Sequence, residues 1–139
     1  MTSKKTMRFE DVSLGDQLPP LDVPITVALI TGGAIATRDY FPGHHDKDAA
    51  QGLGSPHVFM NILTTSGLVQ RFVEQWCGPE ARFQDLKIRL GAPNYPGDSM
   101  KFQGEITAVD TDSRSVEVTL KGKNSMGNHV TGTVAVTLP

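Results

Sequence analysis

The sequence predicts an α+β domain in which a five-stranded antiparallel sheet wraps around one long central helix. Two observations carry this. From Val58 to Trp76 the apolar residues recur at three- and four-residue spacings, and charge appears only at Arg71 and Glu74. A helix so poor in charge is usually buried. Beyond it the apolar period drops to two and stays there, the pattern of antiparallel strands with one face on a core. That apolar face is the one surface the helix can pack on.

In order along the chain, residues 1–20 form a polar leader ending in Pro19-Pro20, with a turn at Leu14-Gly15-Asp16. Val23, Ile25, Val27 and Leu29 alternate with Pro24, Thr26 and Ala28, which predicts a first strand. Ile30 to Asp39 suits a short helix weakened at its start by Gly32-Gly33. Asp46 to Gln51 suits one helical turn capped by Asp46 and ended by Gly52 and Gly54. The long helix follows and stops at Gly78-Pro79. Four strands come next. Leu86, Ile88 and Leu90 define the first; Met100, Phe102, Ile106 and Ala108, with Gly104 among them, share a face of the second. Val116, Val118 and Leu120 define the third, and Val130, Val134, Val136 and Leu138 the fourth. Asp110–Arg114 and Asn124–His129 have the composition and length of hairpin turns. No repeat or linker interrupts residues 1–139, which predicts a single domain.

Composition narrows the function. A 38% hydrophobic and 20% charged chain is an ordinary globular protein with enough length for a core. A net charge of −2, with no basic run beyond Lys4-Lys5, leaves no electrostatic footprint for nucleic acid. The most apolar stretch, Val23–Ala36, is too short for a bilayer and is interrupted by Pro24, Thr26, Thr31 and two glycines. Met1–Glu10 lacks the apolar centre of a secretory signal, and the single cysteine, Cys77, fits a reducing compartment. A cytoplasmic protein is expected.

The chemistry centres on residues 37–50. Asp39 and His44 flank Pro42-Gly43, where proline fixes one backbone angle and glycine permits a sharp reversal. Such a bend can bring a carboxylate and an imidazole to one pocket, where together they can hold a water and move its proton. The same spacing also suits a purely structural turn. His45 and Asp46 extend the polar run, but the spacing is unlike a zinc site, so no metal is expected. His57 and His129 lie in turn-like surroundings and are expected at the surface. Arg38, Lys87 and Arg89 are candidates to meet phosphates, although Lys87 and Arg89 equally suit the solvated face of a strand. Trp76 and Cys77 are expected to end the core helix, and an isolated cysteine is a poor nucleophile.

The element order and the bend before the long helix resemble the hot-dog fold of MaoC-like enoyl-CoA hydratases. Their motif runs Gly-Asp-x-Asn-Pro-hydrophobic-His, then Ala or Ser six residues on. The matching stretch here is Arg38-Asp39-Tyr40-Phe41-Pro42-Gly43-His44 with Ala50. Asp39, Pro42, His44 and Ala50 agree; Arg38, Phe41 and Gly43 depart. Pro93-Asn94-Tyr95-Pro96-Gly97-Asp98 resembles the family's Pro-x-x-Pro-Gly-Asp turn, and the resemblance runs from about residue 20 onward. Ala36–Asp39, His44–Asp46, Asn61–Thr64 and Gly67–Arg71 are closest in wording to the small hydratase subunits of actinobacterial steroid side-chain degradation.

The resemblance implies that Asp39 and His44 add water to an α,β-unsaturated acyl-CoA, one with a steroid side chain as in cholesterol degradation, with CoA entering as part of the substrate and no separate cofactor. It implies an oxyanion donor near the start of the central helix, here the backbone N–H of Asn61. Phe41, in place of the family's Asn, either loses an orienting hydrogen bond or lines a pocket for a bulky apolar group. Related thioesterases and acyl-carrier-protein dehydratases place an acid on the central helix; here none occurs between Val58 and Gln70. The departures also leave a non-catalytic hot-dog partner of an active homologue as an alternative. Sheet edges and an interface pocket imply at least a dimer. The resemblance favours a second MaoC-like chain, as heterodimer or heterotetramer, with a homodimer as the other arrangement.

Overall fold

The computed structural model describes residues 4–139; Met1–Ser3 of the expected leader lie outside them. From Lys4 onward that leader is part of the body, which corrects the expectation. Phe9, Val12 and Leu18 are buried. The reason lies in strand lengths. Strand β1 (Leu21–Pro24) is four residues long, whereas its neighbour β3 (Ser99–Asp110) has twelve. The exposed remainder of the β3 edge needs donors. Leu18 N–H supplies one to Gly104 O at 2.9 Å and Gly15 N–H another to Ile106 O at 2.8 Å.

The first strand is shorter than the alternation predicts, because Thr26 starts a helix. Its hydroxyl accepts from Leu29 N–H at 3.0 Å, an N-cap that nucleates α1 (Val27–Ala36). Gly32 and Gly33 therefore sit inside α1, not at a frayed start. Helix α2 (Lys47–Gly52) begins at the Asp46 cap, whose carboxylate accepts from Ala49 N–H at 3.2 Å. Helix α3 (Ile62–Cys77) begins four residues after Val58: residues 58–60 are extended with Val58 and Met60 buried, and Asn61 caps the helix by accepting from Thr64 N–H at 2.9 Å. Gly78, at φ +83°, ends it in a conformation that favours glycine.

The remaining strands are β2 (Arg82–Leu90), β4 (Ser115–Asn124) and β5 (Gly127–Thr137), and the antiparallel sheet has the order β1-β3-β4-β5-β2. Met100, Phe102 and Ile106 point inward as expected, but a bulge between Ile106 and Ala108 turns Ala108 out to solvent. Helix α3 lies on the inner face. Phe72 stacks on Phe102 with ring centroids 5.2 Å apart and planes at 15°, and Val69 and Val73 are fully buried with Val118 and Val134 in one core. Cys77 is wholly buried at the helix end, where desolvation pushes its thiol up to about 11 and leaves it inert.

Helices α1 and α3 meet at Gly33. A Cβ built there would overlap Thr64 Oγ1, whereas one on Gly32 meets nothing within 4 Å. Gly33→Ala should therefore destabilise the chain by about 1–3 kcal/mol through overpacking. Gly32→Ala should stabilise it by about 0.5–1 kcal/mol through helix propensity. Urea unfolding of the two variants should show opposite shifts in midpoint.

Candidate active site

The site forms where α1 stops. Thr37 Oγ1 donates back to Gly33 O at 2.8 Å, and Arg38 takes φ +57°, a left-handed conformation that L side chains rarely adopt. This explains why the motif elsewhere carries glycine at that place: the chain must reverse before Asp39. Asp39 N–H then closes onto Ala34 O at 2.9 Å. Pro42-Gly43-His44 forms a 3₁₀ turn in which Asp46 N–H reaches Pro42 O at 2.8 Å. A side chain at Gly43 would run into the rings of Phe41 and Phe59, so only hydrogen fits there. The outcome is that Asp39 Oδ2 and His44 Nε2 lie 3.3 Å apart.

The tautomer of His44 follows from its other nitrogen. Nδ1 is 2.6 Å from Phe59 O, and a carbonyl can only accept, so Nδ1 carries the proton. In the neutral ring Nε2 is then a bare acceptor facing a carboxylate oxygen. Two acceptors at that distance cannot satisfy each other. A water that donates one proton to each can, and its oxygen lone pairs are then free. The imidazole is held by packing as well: Phe59 lies edge-on at 4.9 Å and Phe41 at 5.4 Å.

Asn61 joins the pair from the first turn of α3, through its side chain. Nδ2 donates to Asp39 Oδ2 at 3.1 Å and to Thr37 Oγ1 at 3.0 Å. That bond is the chief reason the Asp39 carboxyl titrates below its ordinary value; burial opposes it, and the Phe41 N–H and His44 add to it. The orienting amide that the motif usually supplies at position 41 thus comes from position 61, and Phe41 packs on the histidine instead. The side-chain role of Asn61 is not part of the sequence reading, which runs the helix through it; an Asn directly before a helical run is the N-cap signal that reveals it. The second motif turn serves the same place. Asn94, fully buried, accepts Met60 N–H on its carbonyl at 3.2 Å and Asn124 Nδ2 on its side chain at 2.9 Å, which pins the residue before Asn61.

The other expected positions fall away from this centre or behind it. His45 and Asp46 are exposed, and His57 is half-buried and bonded to Val58 N–H. His129, expected at the surface, instead lies inside β5 and is buried at 2% exposure; its Nε2 is 2.8 Å from Thr65 Oγ1 on α3. Lys87 pairs with Asp85 at 3.2 Å on an exposed strand face, and Arg38 and Arg89 are exposed. Among the described residues no three His, Cys, Asp or Glu side chains gather as a metal site would require, and no helix is long and apolar enough to cross a membrane.

Residues 11–128 match the MaoC like domain family. The chain is 43% identical over 125 residues to the 3-oxo-4,17-pregnadiene-20-carboxyl-CoA hydratase beta subunit of Mycobacterium tuberculosis, an alignment spanning 90% of this chain and 95% of that protein. A chain of the crystallised ChsH1-ChsH2 complex from Mycobacterium tuberculosis superposes with a TM-score of 0.88 at 42% identity, covering 91% of this chain and 98% of that one. An (R)-hydratase from A. caviae involved in PHA biosynthesis gives a TM-score of 0.86 over 94% and 99% of the two chains; at 20% identity it shares the fold. The chain belongs to the MaoC-like domain family, and its sheet around α3 is the hot-dog fold.

Proposed function

We propose that this chain is the catalytic subunit of an enoyl-CoA hydratase that adds water to an α,β-unsaturated steroid side-chain acyl-CoA, in complex with a second MaoC-like chain. The observation that carries this is the pair of acceptors, Asp39 Oδ2 and His44 Nε2, 3.3 Å apart in a chain 43% identical to a steroid carboxyl-CoA hydratase subunit. In the reaction the water held by both acceptors attacks the β-carbon. One of its protons passes to the pair and is returned to the α-carbon, so hydroxyl and hydrogen add across the double bond. No resident cofactor is needed, since CoA arrives on the substrate.

The thioester oxygen gains charge as the β-carbon is attacked. The start of α3 offers donors for it: among the described residues the N–H groups of Asn61, Ile62 and Leu63 donate to no protein acceptor. The Asn61 backbone N–H is our candidate oxyanion donor, backed by the helix dipole. Phe41, 46% exposed beside the pair, offers an apolar wall suited to a bulky ring system.

The partner reading rests on the relatives and on the surface. The Mycobacterium tuberculosis relative is a beta subunit, and the matched structure is a two-protein complex. Here Tyr40 is 68% exposed, Ile62 50% and Leu63 48%, apolar surface around the pair that a second chain would cover. A buried single thiol suits the cytoplasm as the compartment. The alternative of a non-catalytic partner chain is disfavoured by an intact, oriented pair.

Co-expression with its partner should give a complex whose turnover, followed as loss of the conjugated thioester absorbance, is faster on steroid than on short linear enoyl-CoAs. Equal rates would refute the steroid assignment and leave the hydratase one standing. Asp39→Asn and His44→Ala should each lower kcat in that complex by about 10²–10⁴-fold. Turnover surviving both would move the chemistry to the other chain. Asn61→Ala should raise the Asp39 titration toward the ordinary carboxylate range, because the bond that favours the charged form is gone. It should also cost about 1 kcal/mol of stability as a lost cap, read by NMR titration and thermal melting.

A further inference from the structure

Thr65 and His129 form a buried polar pair that the hydration chemistry leaves unused. Thr65 is 0% exposed and His129 2%, both buried within the molecule. Burying two polar side chains there costs free energy that two apolar residues of the same size would not. The bonds they make say what they hold. His129 Nδ1 is 2.8 Å from Ala92 O, so this nitrogen carries the proton and Nε2 is the acceptor. Burial pushes the ring's titration below its ordinary value and keeps it in that neutral form.

Thr65 Oγ1 lies 2.8 Å from His129 Nε2 and 3.3 Å from Asn61 O. The hydroxyl has one proton, and the bare nitrogen is the nearer claim on it. Asn61 O is left to the Thr65 backbone N–H, 3.2 Å away, as the first rung of an ordinary helix. Without His129 the hydroxyl would turn fully to the carbonyl four residues back, an arrangement that bends helices. The turn that would bend is the one carrying Asn61, whose amide grips Asp39.

We propose that His129 is a positioning residue for the hydration site: its ring draws the Thr65 hydroxyl off the Asn61 carbonyl and keeps Asn61 square to Asp39. This rests on the hydratase reading. The pair touches neither substrate nor the reacting water; it acts through Asn61 alone.

The test crosses loss with rescue in the assembled complex. H129L removes the ring and leaves the Thr65 hydroxyl to turn to the Asn61 carbonyl, so kcat should fall roughly tenfold or more, as displaced catalytic groups do, with KM changed less than about twofold. T65V/H129L removes the competing hydroxyl as well and puts apolar residues of similar size in place of the pair, so it should melt at or above the wild-type temperature and regain wild-type kcat. H129M gives the same reading should H129L fail to fold. Wild-type kcat in H129L, or equal rate losses in H129L and T65V/H129L, would overturn the proposal. A second readout needs no turnover: in the full chain the Asp39 carboxyl, followed by carbon-detected NMR, should titrate higher in H129L than in wild type and return in T65V/H129L, and an unmoved midpoint in H129L would also overturn it. Absence of hydration by the wild-type complex would sink the hydratase reading, while the Asp39 titration still decides the positioning one.

Discussion

Asn61 joins the longest element of the fold to the carboxylate of the proposed catalytic pair. Its carboxamide oxygen accepts Thr64 N–H and closes the first turn of α3, while its nitrogen gives one proton to Asp39 and the other to Thr37. One planar group thus serves the helix on one side and the carboxylate on the other. Because the amide cannot flex internally, Asp39 takes its position from α3, and α3 takes its position from the sheet through Phe72 on Phe102. A carboxylate on a reversing loop would otherwise drift by more than the fraction of an ångström that catalysis tolerates. The loop is borrowed from a mobile class of structure and held by the most rigid part of the molecule.

Much of this is legible in the sequence, for reasons that can be named. The four C-terminal strands are visible because one face meets water and the other a core, so the period of two is imposed residue by residue; register shifts at Phe83/Asp85, Ile106/Ala108 and Gly122/Lys123 interrupt the pairing, and a bulge leaves no mark in composition. The Asp39–His44 bend is visible because proline and glycine are needed to make it. The start of α3 is not, because Val58 and Met60 are buried in extended chain and buried residues carry no period that separates strand from helix. The same ambiguity lengthens the first strand past Thr26. His129 is misplaced for a different reason: its neighbours Asn128 and Gly127 have turn composition, while its own burial depends on Thr65, sixty-four residues away, as a partner. Long-range polar pairing has no local signature.

The apolar surface at Tyr40, Ile62 and Leu63 is informative because of where it sits. Helix α3 buries Leu68, Val69, Phe72 and Val73 against its own sheet, yet its first turn offers two large aliphatic side chains to solvent. A chain that worked alone would gain solubility from polar residues at both positions. Their place beside the reacting pair means that whatever covers them also closes the site and excludes bulk water, which strengthens every charge–dipole contact inside. In the proposed complex catalytic competence and association would be one event, and Asp39, 29% exposed in the single chain, would be covered by it.

The two acceptors of the site need not share the work equally. Asp39 is held below the ordinary carboxylate range, by Asn61 first and the Phe41 N–H after it. A carboxylate stabilised in this way is a weak base at neutral pH, since the bonds that favour its charge must loosen for it to take a proton. The imidazole of His44 is the freer acceptor, because the Phe59 carbonyl holds the proton on Nδ1 and leaves Nε2 bare. In the proposed hydration His44 therefore takes the proton from water and hands it to the α-carbon, while Asp39 fixes the water's second proton and steadies the imidazolium formed in between.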